Sequence, residues 1–507
     1  MKHRYTKFIS FTVLAVLAFS LTAAAQEKDI SYYLSKTPFA MQAVPVPKFN
    51  DKVFSITDYG AVADGKTLNT EAFAKAITAC TKDGGGRVLV PAGTWLTGPV
   101  ELKSNVDLHL EKGAVIQFTP DRTQYPIITM SGEGKNYVVA SPLYAYRANN
   151  IAITGQGIID GAGESWRPVK KSKVTAAMWD DLSKRGVISE DGKIWWPSAE
   201  AMNGEDYVKK LKRKTEPLTE KDYLPARDFL RPYMVYFIQC NTILMEGVTI
   251  RNSPKFVFYP NRCTDLTMNG VTVLNDWWAQ NGDGIDISAC KNVVIYKCTL
   301  SVGDDGICMK SSRGSKPEGD AELKNILIAQ CTVYRAHGGF VIGSNTDGGM
   351  QNIYVADCNF IGSDIGIRVK SNPGRGGLVK DIYIDNIGMK NIKEEAILFT
   401  TYYEDMPAGK TSKDTSERED GKIPRFTEFH ISNVKCEGAA TAVSIIGLKE
   451  VPVSKIYLEN IDITAGKGFV STDAENIYLK NVTLNTGKPL FSLKRSVNIT
   501  LDGKQVE

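Results

Sequence analysis

One strand-like phrase, repeated along most of the chain, limits the possible folds more than any other feature. Its copies include IAITGQGIID from Ile151, TILMEGVTIRNS from Thr242, DLTMNGVTVLND from Asp265, NVVIYKCTLSVG from Asn292, NILIAQCTVYRA from Asn325 and NIYVADCNFIGS from Asn352. Four more follow: DIYIDNIGMKNI from Asp381, EFHISNVKCEGA from Glu428, KIYLENIDITAG from Lys455 and NIYLKNVTLNTG from Asn476. Their period-two alternation, and their content of Val, Ile, Tyr and Thr, mark them as β-strands. From Thr242 on they recur every 21 to 33 residues, with one longer gap before Glu428. No copy can bury its apolar face alone, so the stable arrangement is a stack. The expected fold class is all-β, a right-handed parallel β-helix in which each coil adds one strand to each of several sheets. Leucine-rich repeats need Leu and Asn at fixed positions that are absent here, and propeller blades are longer units.

Such a cylinder has open ends that invite edge pairing. Residues 69–81 (NTEAFAKAITACT) supply a cover at the N-terminal end: Phe73, Ala76, Ile77 and Cys80 share one helical face, Asn69 is placed to cap, and Gly84-Gly85-Gly86 ends the run. Residues 162–229 break the rhythm. They are rich in Lys, Asp and Glu, carry Trp166, Trp179, Trp195 and Trp196, and read as a mainly helical insertion. These tryptophans either anchor the insertion or form a sugar-contacting wall. A second, very polar insertion spans residues 404–425.

The first 25 residues read as an export signal, with Lys2, Arg4 and Lys7, an apolar run from Phe8 to Leu21, and Ala23-Ala24-Ala25. Residues 26–507 then form a single catalytic β-helix domain. No Cys follows the small-residue site and no later apolar stretch is long enough to span a bilayer, so the expected product is exported, periplasmic or secreted, without a membrane anchor. The formal charge of +4 falls to +1 once the three basic residues of the leader are removed, which argues against a nucleic-acid partner. The nine cysteines fall mostly inside strand patterns and read as small buried hydrophobes rather than a disulfide framework. A monomer is expected.

Chemistry concentrates where four coils align on a Gly-strand phrase: Gly284-Ile285-Asp286-Ile287-Ser288, Gly306-Ile307-Cys308-Met309-Lys310, Gly339-Phe340-Val341-Ile342-Gly343 and Gly366-Ile367-Arg368-Val369-Lys370. Equivalent residues of successive coils lie about 4.8 Å apart. Asp283 and Asp305, each just before its Gly, become lateral neighbours, and His337 falls beside Asp304. Arg368 and Lys370 share one parity, with Ile367 and Val369 facing the other way. Clustered like charges raise one another's proton affinity, so one acid stays protonated while others remain ionised. Glycoside hydrolysis needs that division between an acid and a base, and Arg368 and Lys370 add fixed positive charge for a substrate carboxylate.

These motifs resemble glycoside hydrolase family 28, the polygalacturonases. The family's ordered signature is matched by Asn281-Gly282-Asp283, Gly303-Asp304-Asp305, His337-Gly338 and Arg368-Val369-Lys370, with Tyr403 in Tyr403-Glu404-Asp405 resembling its substrate-side tyrosine. The departures are Gly282 for Thr and Val369 for Ile. The resemblance implies an inverting hydrolase of α-1,4-linked galacturonic acid, an acidic polysaccharide or oligosaccharide of the homogalacturonan type. It makes Asp304 the general acid, Asp283 and Asp305 the groups that hold and deprotonate water, and His337 the group that tunes the acid. It places Arg368, Lys370, Tyr403 and Asn281 against the sugar. No cofactor is implied. Rhamnogalacturonan hydrolases share the fold but lack this His, a calcium-dependent pectate lyase would use the acids as ligands, and a noncatalytic glycan-binding β-helix would bind without turnover. Only four His and no paired Cys motif are present, so no metal site is expected. Both insertions are long enough to wall off one end of a cleft, which favours exo action. Lys310 reads as a solvent-facing Lys, with contact to substrate as the alternative, Asn345-Thr346-Asp347-Gly348 as a polar loop, and Asp64-Gly65 and Asp160-Gly161 as turns.

Overall fold

The computed structural model describes residues 28–129, 137–314, 319–402 and 422–506. The leader assigned to residues 1–25, Tyr403, and most of the 404–425 insertion lie outside the described residues. The chain winds as a parallel β-helix. Its strands form three lateral ladders joined into one continuous 33-stranded sheet. One ladder carries Leu143–Tyr146, Val235–Ile238, Phe258–Asn261, Ile285–Ser288, Ile307–Lys310, Gly338–Ile342, Ile365–Lys370 and Glu395–Thr400 in sequence. Side chains of one parity, among them Ile287, Met309, Ile342, Val369 and Phe399, are buried in the common core, leaving the other parity to the outer face.

The Asn or Asp that opens many of the repeated phrases has a physical role. Asp265, Asn292, Asn325 and Asn352 all adopt positive φ, between 54° and 61°, a conformation these two residue types tolerate because their short side chains find local partners. Those partners are one another. Asn292 donates to Asp265 at 3.0 Å, Asn325 to Asn292 at 3.1 Å and Asn352 to Asn325 at 3.0 Å, so a polar stack at the bend keeps the coils in register.

The covering helix is Thr70–Lys82, and its Phe73, Ala76, Ile77 and Cys80 are buried as expected. Asn69 stands at the cap position without capping: its side chain instead joins Val62, Thr67 and Leu96 of the adjoining loop and strand. The turns at Asp64 and Asp160 are as expected, each carboxylate accepting backbone amides two residues on. All nine cysteines are buried and free. A short helix, Ile30–Lys36, lies on the outside of the cylinder with Tyr33 against Tyr296, Leu327 and Tyr354.

The interruption at residues 162–229 contains four helices, Ala176–Ser183, Ala199–Lys212, Glu220–Tyr223 and Arg227–Leu230. It also holds a three-stranded antiparallel sheet of Val169–Lys170, Val187–Ile188 and Ile194–Trp196. Three of its four tryptophans serve as anchors. Trp166 is fully buried edge-on against Tyr125, and Trp179 and Trp195 pack with Val169 and Trp278. Trp277, from the coil preceding Asp283, is the exposed one, at 41%.

Candidate active site

The register of the outer ladder decides the site. Ile285 pairs with Ile307, Ile307 with Phe340 and Phe340 with Ile367. Counting back from these pairs puts Asp283 beside Asp305 and Asp304 beside His337, and the backbone bond from His337 N–H to the Asp304 carbonyl, 2.8 Å, fixes the second pair. One oxygen from each of Asp283, Asp304 and Asp305 lies within 4.8 Å of the others. The glycines of the phrase are required by close approach: a Cβ on Gly284 would stand 2.6 Å from Leu300, and one on Gly306 2.6 Å from Val333. Gly282 has a similar reason. A Cβ there would come within 2.8 Å of Ala279, so a threonine fits at this position only if the turn before it shifts.

The three carboxylates differ in their surroundings. Asp305 is sealed in, with Lys370 Nζ at 2.7 Å from one oxygen and Arg368 at 3.3 Å from the other. Burial pushes its proton affinity up, but Lys370 and Arg368 outweigh it and hold the carboxyl well below the ordinary range. Asp283 is shifted the other way. Burial, with Asp286 and Asp304 close by, raises it well above the ordinary range, and its Oδ1 has no hydrogen-bond partner among the described residues. Asp304 is also pushed up by burial, yet the hydrogen bond from His337 reverses the net effect and holds it below the ordinary value. His337 Nδ1 stands 3.0 Å from Asp304 Oδ1, and the Asp305 amide donates to the same oxygen at 3.1 Å. Side-chain exposures of 17% for Asp304, 5% for Asp283 and 2% for Asp305 leave Asp304 as the member of the trio that reaches the surface.

Arg368 and Lys370 are on the outer face as expected, and both grip Asp305. Asn281 is held in place: it adopts φ 53°, and its side-chain oxygen accepts from Arg231 at 2.8 Å. Lys310 corrects the sequence reading. Its side chain is only 12% exposed, with its ammonium 3.2 Å from Asp286, 3.9 Å from Asp283 and 5.2 Å from the ring of Phe256, which reaches over from two coils away. Burial works against that charge, but Cys308, Asp286 and Asp283 outweigh it and raise Lys310 well above its usual value. Asp286 was not singled out by the sequence. Fully buried, it is raised to about 7, with Lys310 opposing the rise. Its signal was its shared parity with Lys310 on adjacent aligned phrases. Nothing in the repeat pointed to Lys255, Arg231 or Lys173, which come from irregular segments. Lys255 Nζ sits 4.9 Å from the Tyr233 ring and 5.6 Å from that of Phe256. Burial and then Arg231 lower it to about 8. The Asn345–Gly348 stretch is the loop expected, with Asp347 accepting from Ser312 and the Arg313 amide.

A divalent cation could in principle use three carboxylates at this spacing, but both oxygens of Asp305 are already matched to a side-chain cation. Three neighbouring carboxylates of unlike proton affinity, one of them reaching solvent, are groups that cleavage of a glycosidic bond can use, and with the coil geometry they fit a β-helical glycoside hydrolase. The chain belongs to glycosyl hydrolases family 28. The model of that family matches residues 226–488, and one described as rhamnogalacturonase A/epimerase, pectate lyase-like, matches residues 53–166. Among relatives, a probable polygalacturonase of Vitis vinifera is 28% identical over 81% of this chain and 74% of its own length. An exo-poly-alpha-D-galacturonosidase of Dickeya chrysanthemi is 28% identical over 82% of this chain and 67% of its own. Among solved structures, a hyperthermoactive exopolygalacturonase from Thermotoga maritima superposes with a TM-score of 0.67 at 28% identity, covering 89% of this chain and 94% of that one.

Proposed function

We propose that this chain hydrolyses α-1,4-galacturonosyl linkages of polygalacturonate with inversion, from a chain end, after export from the cell. The observation that carries the reading is a cluster of three carboxylates of which Asp304 is the one that reaches the surface. Asp304, the one that reaches the surface, donates its proton to the glycosidic oxygen as the C1–O bond breaks. Water attacks C1 from the opposite side and passes its proton to Asp283, whose Oδ1 has no hydrogen-bond partner among the described residues. Asp305 orients that water. With each oxygen matched to a cation, Asp305 is a poor nucleophile, which supports direct attack by water over a covalent glycosyl intermediate. The oxygens lie closer than the separation of about 6.5 Å or more usual between acid and base in inverting enzymes, because the coil repeat sets the spacing. The stereochemistry is therefore a direct test: proton NMR should show the β-anomer as the first product, and the α-anomer first would move the mechanism to double displacement.

Cations flank the carboxylates on both sides along the helix axis. Arg368 and Lys370 lie toward the C-terminal coils, and Lys255 and Arg231 toward the N-terminal ones, which supports an acidic sugar on each side of the bond cleaved. The proposal places Lys255 against one sugar carboxylate. Since it is lowered to about 8, it is charged below that pH and neutral above it, so KM for oligogalacturonate should rise as pH passes 8. Lys255→Arg should remove that rise, and an unchanged profile would take Lys255 out of the binding site. Exo action is supported by the insertion, whose Lys173 touches His337 and Gly303 and so borders the cleft.

Size-resolved products from polygalacturonate decide among the readings. Saturated monogalacturonate from the earliest time supports exo hydrolysis, and mixed oligomers with a rapid fall in viscosity mean endo action. An ultraviolet-absorbing unsaturated product lost on adding EDTA would make the protein a lyase. Cleavage of rhamnogalacturonan alone would change the substrate, and binding without turnover would remove the catalytic reading.

A further inference from the structure

Lys173 stands in a single helical turn, Lys171–Lys173, of the insertion, outside every motif of the repeated coils. Its ammonium is 3.0 Å from His337 Nε2 and 3.3 Å from the Gly303 carbonyl oxygen, with the Trp277 ring 5.7 Å away. An ammonium has three donors and no lone pair. Its partner on the imidazole must therefore be an unprotonated nitrogen, which leaves the ring proton on Nδ1, 3.0 Å from Asp304. We infer that Lys173 is a positioning residue for catalysis, fixing His337 as the neutral Nδ1–H tautomer that donates to Asp304.

The arrangement forms a relay from the insertion to the acid. Asp364, 3.8 Å from the same Nε2, is placed to accept from a proton there. Lys393 holds Asp364 at 2.7 Å, and Lys173 occupies the nitrogen that such a proton would take. Arg335 lines the same cleft of about 560 Å³ and adds to the positive field on that side. Asp304, Asp364, Lys173, Lys393 and Arg335 are thus the charged groups facing His337. Burial lowers the proton affinity of Lys173 below that of a free lysine, with Asp304 and Asp364 opposing the fall. A doubly protonated ring would pair with Asp304 as a carboxylate and keep it from carrying the proton that the leaving oxygen needs. The neutral tautomer orients the same carboxyl without that electrostatic hold.

This inference rests on Asp304 being the general acid, but its first test needs no substrate. Long-range ¹H–¹⁵N spectra of protein labelled at histidine, with the His337 signals assigned from His337→Gln, should show a protonated Nδ1 and a bare Nε2. Lys173→Met should move the ring toward the Nε2–H or the doubly protonated form, and Lys173→Arg should restore the wild-type pattern. On galacturonan, Lys173→Met should lose about tenfold in kcat, a fraction of what acid catalysis as a whole supplies, with KM within about twofold and a steeper loss of rate on the acid side. Nε2–H in the wild type, or a ring unchanged by Lys173→Met, overturns the inference. A rise in KM at constant kcat also overturns it and makes Lys173 a substrate contact. Failure of galacturonan hydrolysis with the expected tautomers would count against the substrate reading instead.

Discussion

Asp304→Asn should lower kcat on polygalacturonate about a thousandfold, the middle of the range that general acid catalysis contributes, with KM nearly unchanged. Asparagine keeps the acceptor oxygen that His337 and the Asp305 amide share, so the turn should hold its shape. What it lacks is a proton to give. An activated substrate such as an aryl galacturonide, whose leaving group departs without protonation, should recover much of the rate, whereas a purely structural defect would slow both substrates alike. A larger loss from Asp283→Asn that the aryl substrate also rescues would exchange the roles of the two residues.

The same assignment makes a prediction about pH. In the free protein the raised affinity of Asp283 and the lowered affinity of Asp304 put the cluster's proton on Asp283, and catalysis draws on the minor form with the proton on Asp304. The two titrate as a coupled pair. Activity on the alkaline side is lost when that proton leaves, above the ordinary carboxylate range. On the acid side it is lost when a second proton enters at Asp304, below that range. The plateau of kcat/KM should accordingly be broader than two isolated carboxyls would give.

Most of this site could be read from the sequence, and the reason is geometric. In a β-helix, lateral neighbours occupy equivalent places in successive copies of a phrase, so counting back from Gly284, Gly306, Gly339 and Gly366 pairs Asp283 with Asp305 and Asp304 with His337 from the sequence alone. The glycines were reliable markers because the close approach to Leu300 and Val333 allows nothing larger. Reading failed where the repeat is interrupted. Lys173, Arg231 and Lys255 reach the site from the insertion and from loops, where no periodicity says which coil a residue will meet. The strands Val187–Ile188 and Val169–Lys170 are two residues long, too short to show an alternation, so the insertion read as mainly helical. Lys310 was placed on the correct face, but Phe256 reaches over it from two coils away, which parity does not reveal. Asn69 shows the converse error: a good capping residue type at a helix start, claimed instead by the unpaired backbone groups of the adjoining loop.

Lys370→Met should destabilise the protein by about 3 kcal/mol at neutral pH, the lower end of the range for removing one partner of a buried ion pair, since Arg368 remains 3.3 Å from Asp305. Methionine has the length and flexibility to fill the space, so the loss reports charge rather than packing. The lysine and aspartate side chains are 5% and 2% exposed, leaving little solvent to screen the orphaned carboxylate. The pH dependence distinguishes this cause. Because the folded-state affinity of Asp305 is depressed, its pairing contributes stability above the unfolded value of about 3.9 and loses it as pH falls toward the lower folded value. Without Lys370 the folded value climbs, the carboxyl takes a proton sooner, and the deficit relative to wild type shrinks as pH falls through 4. Urea unfolding at pH 7 and pH 4 measures both. Adding Asp305→Asn to Lys370→Met should recover part of the lost stability, since no unpaired charge then remains, yet leave the enzyme inactive. A deficit under about 1 kcal/mol, as exposed pairs show, or one independent of pH, would mean that Lys370 does not hold Asp305 ionised. That ionisation is also what denies Asp305 the role of acid, so the stability measurement bears on the division of labour among the carboxylates without any substrate being turned over.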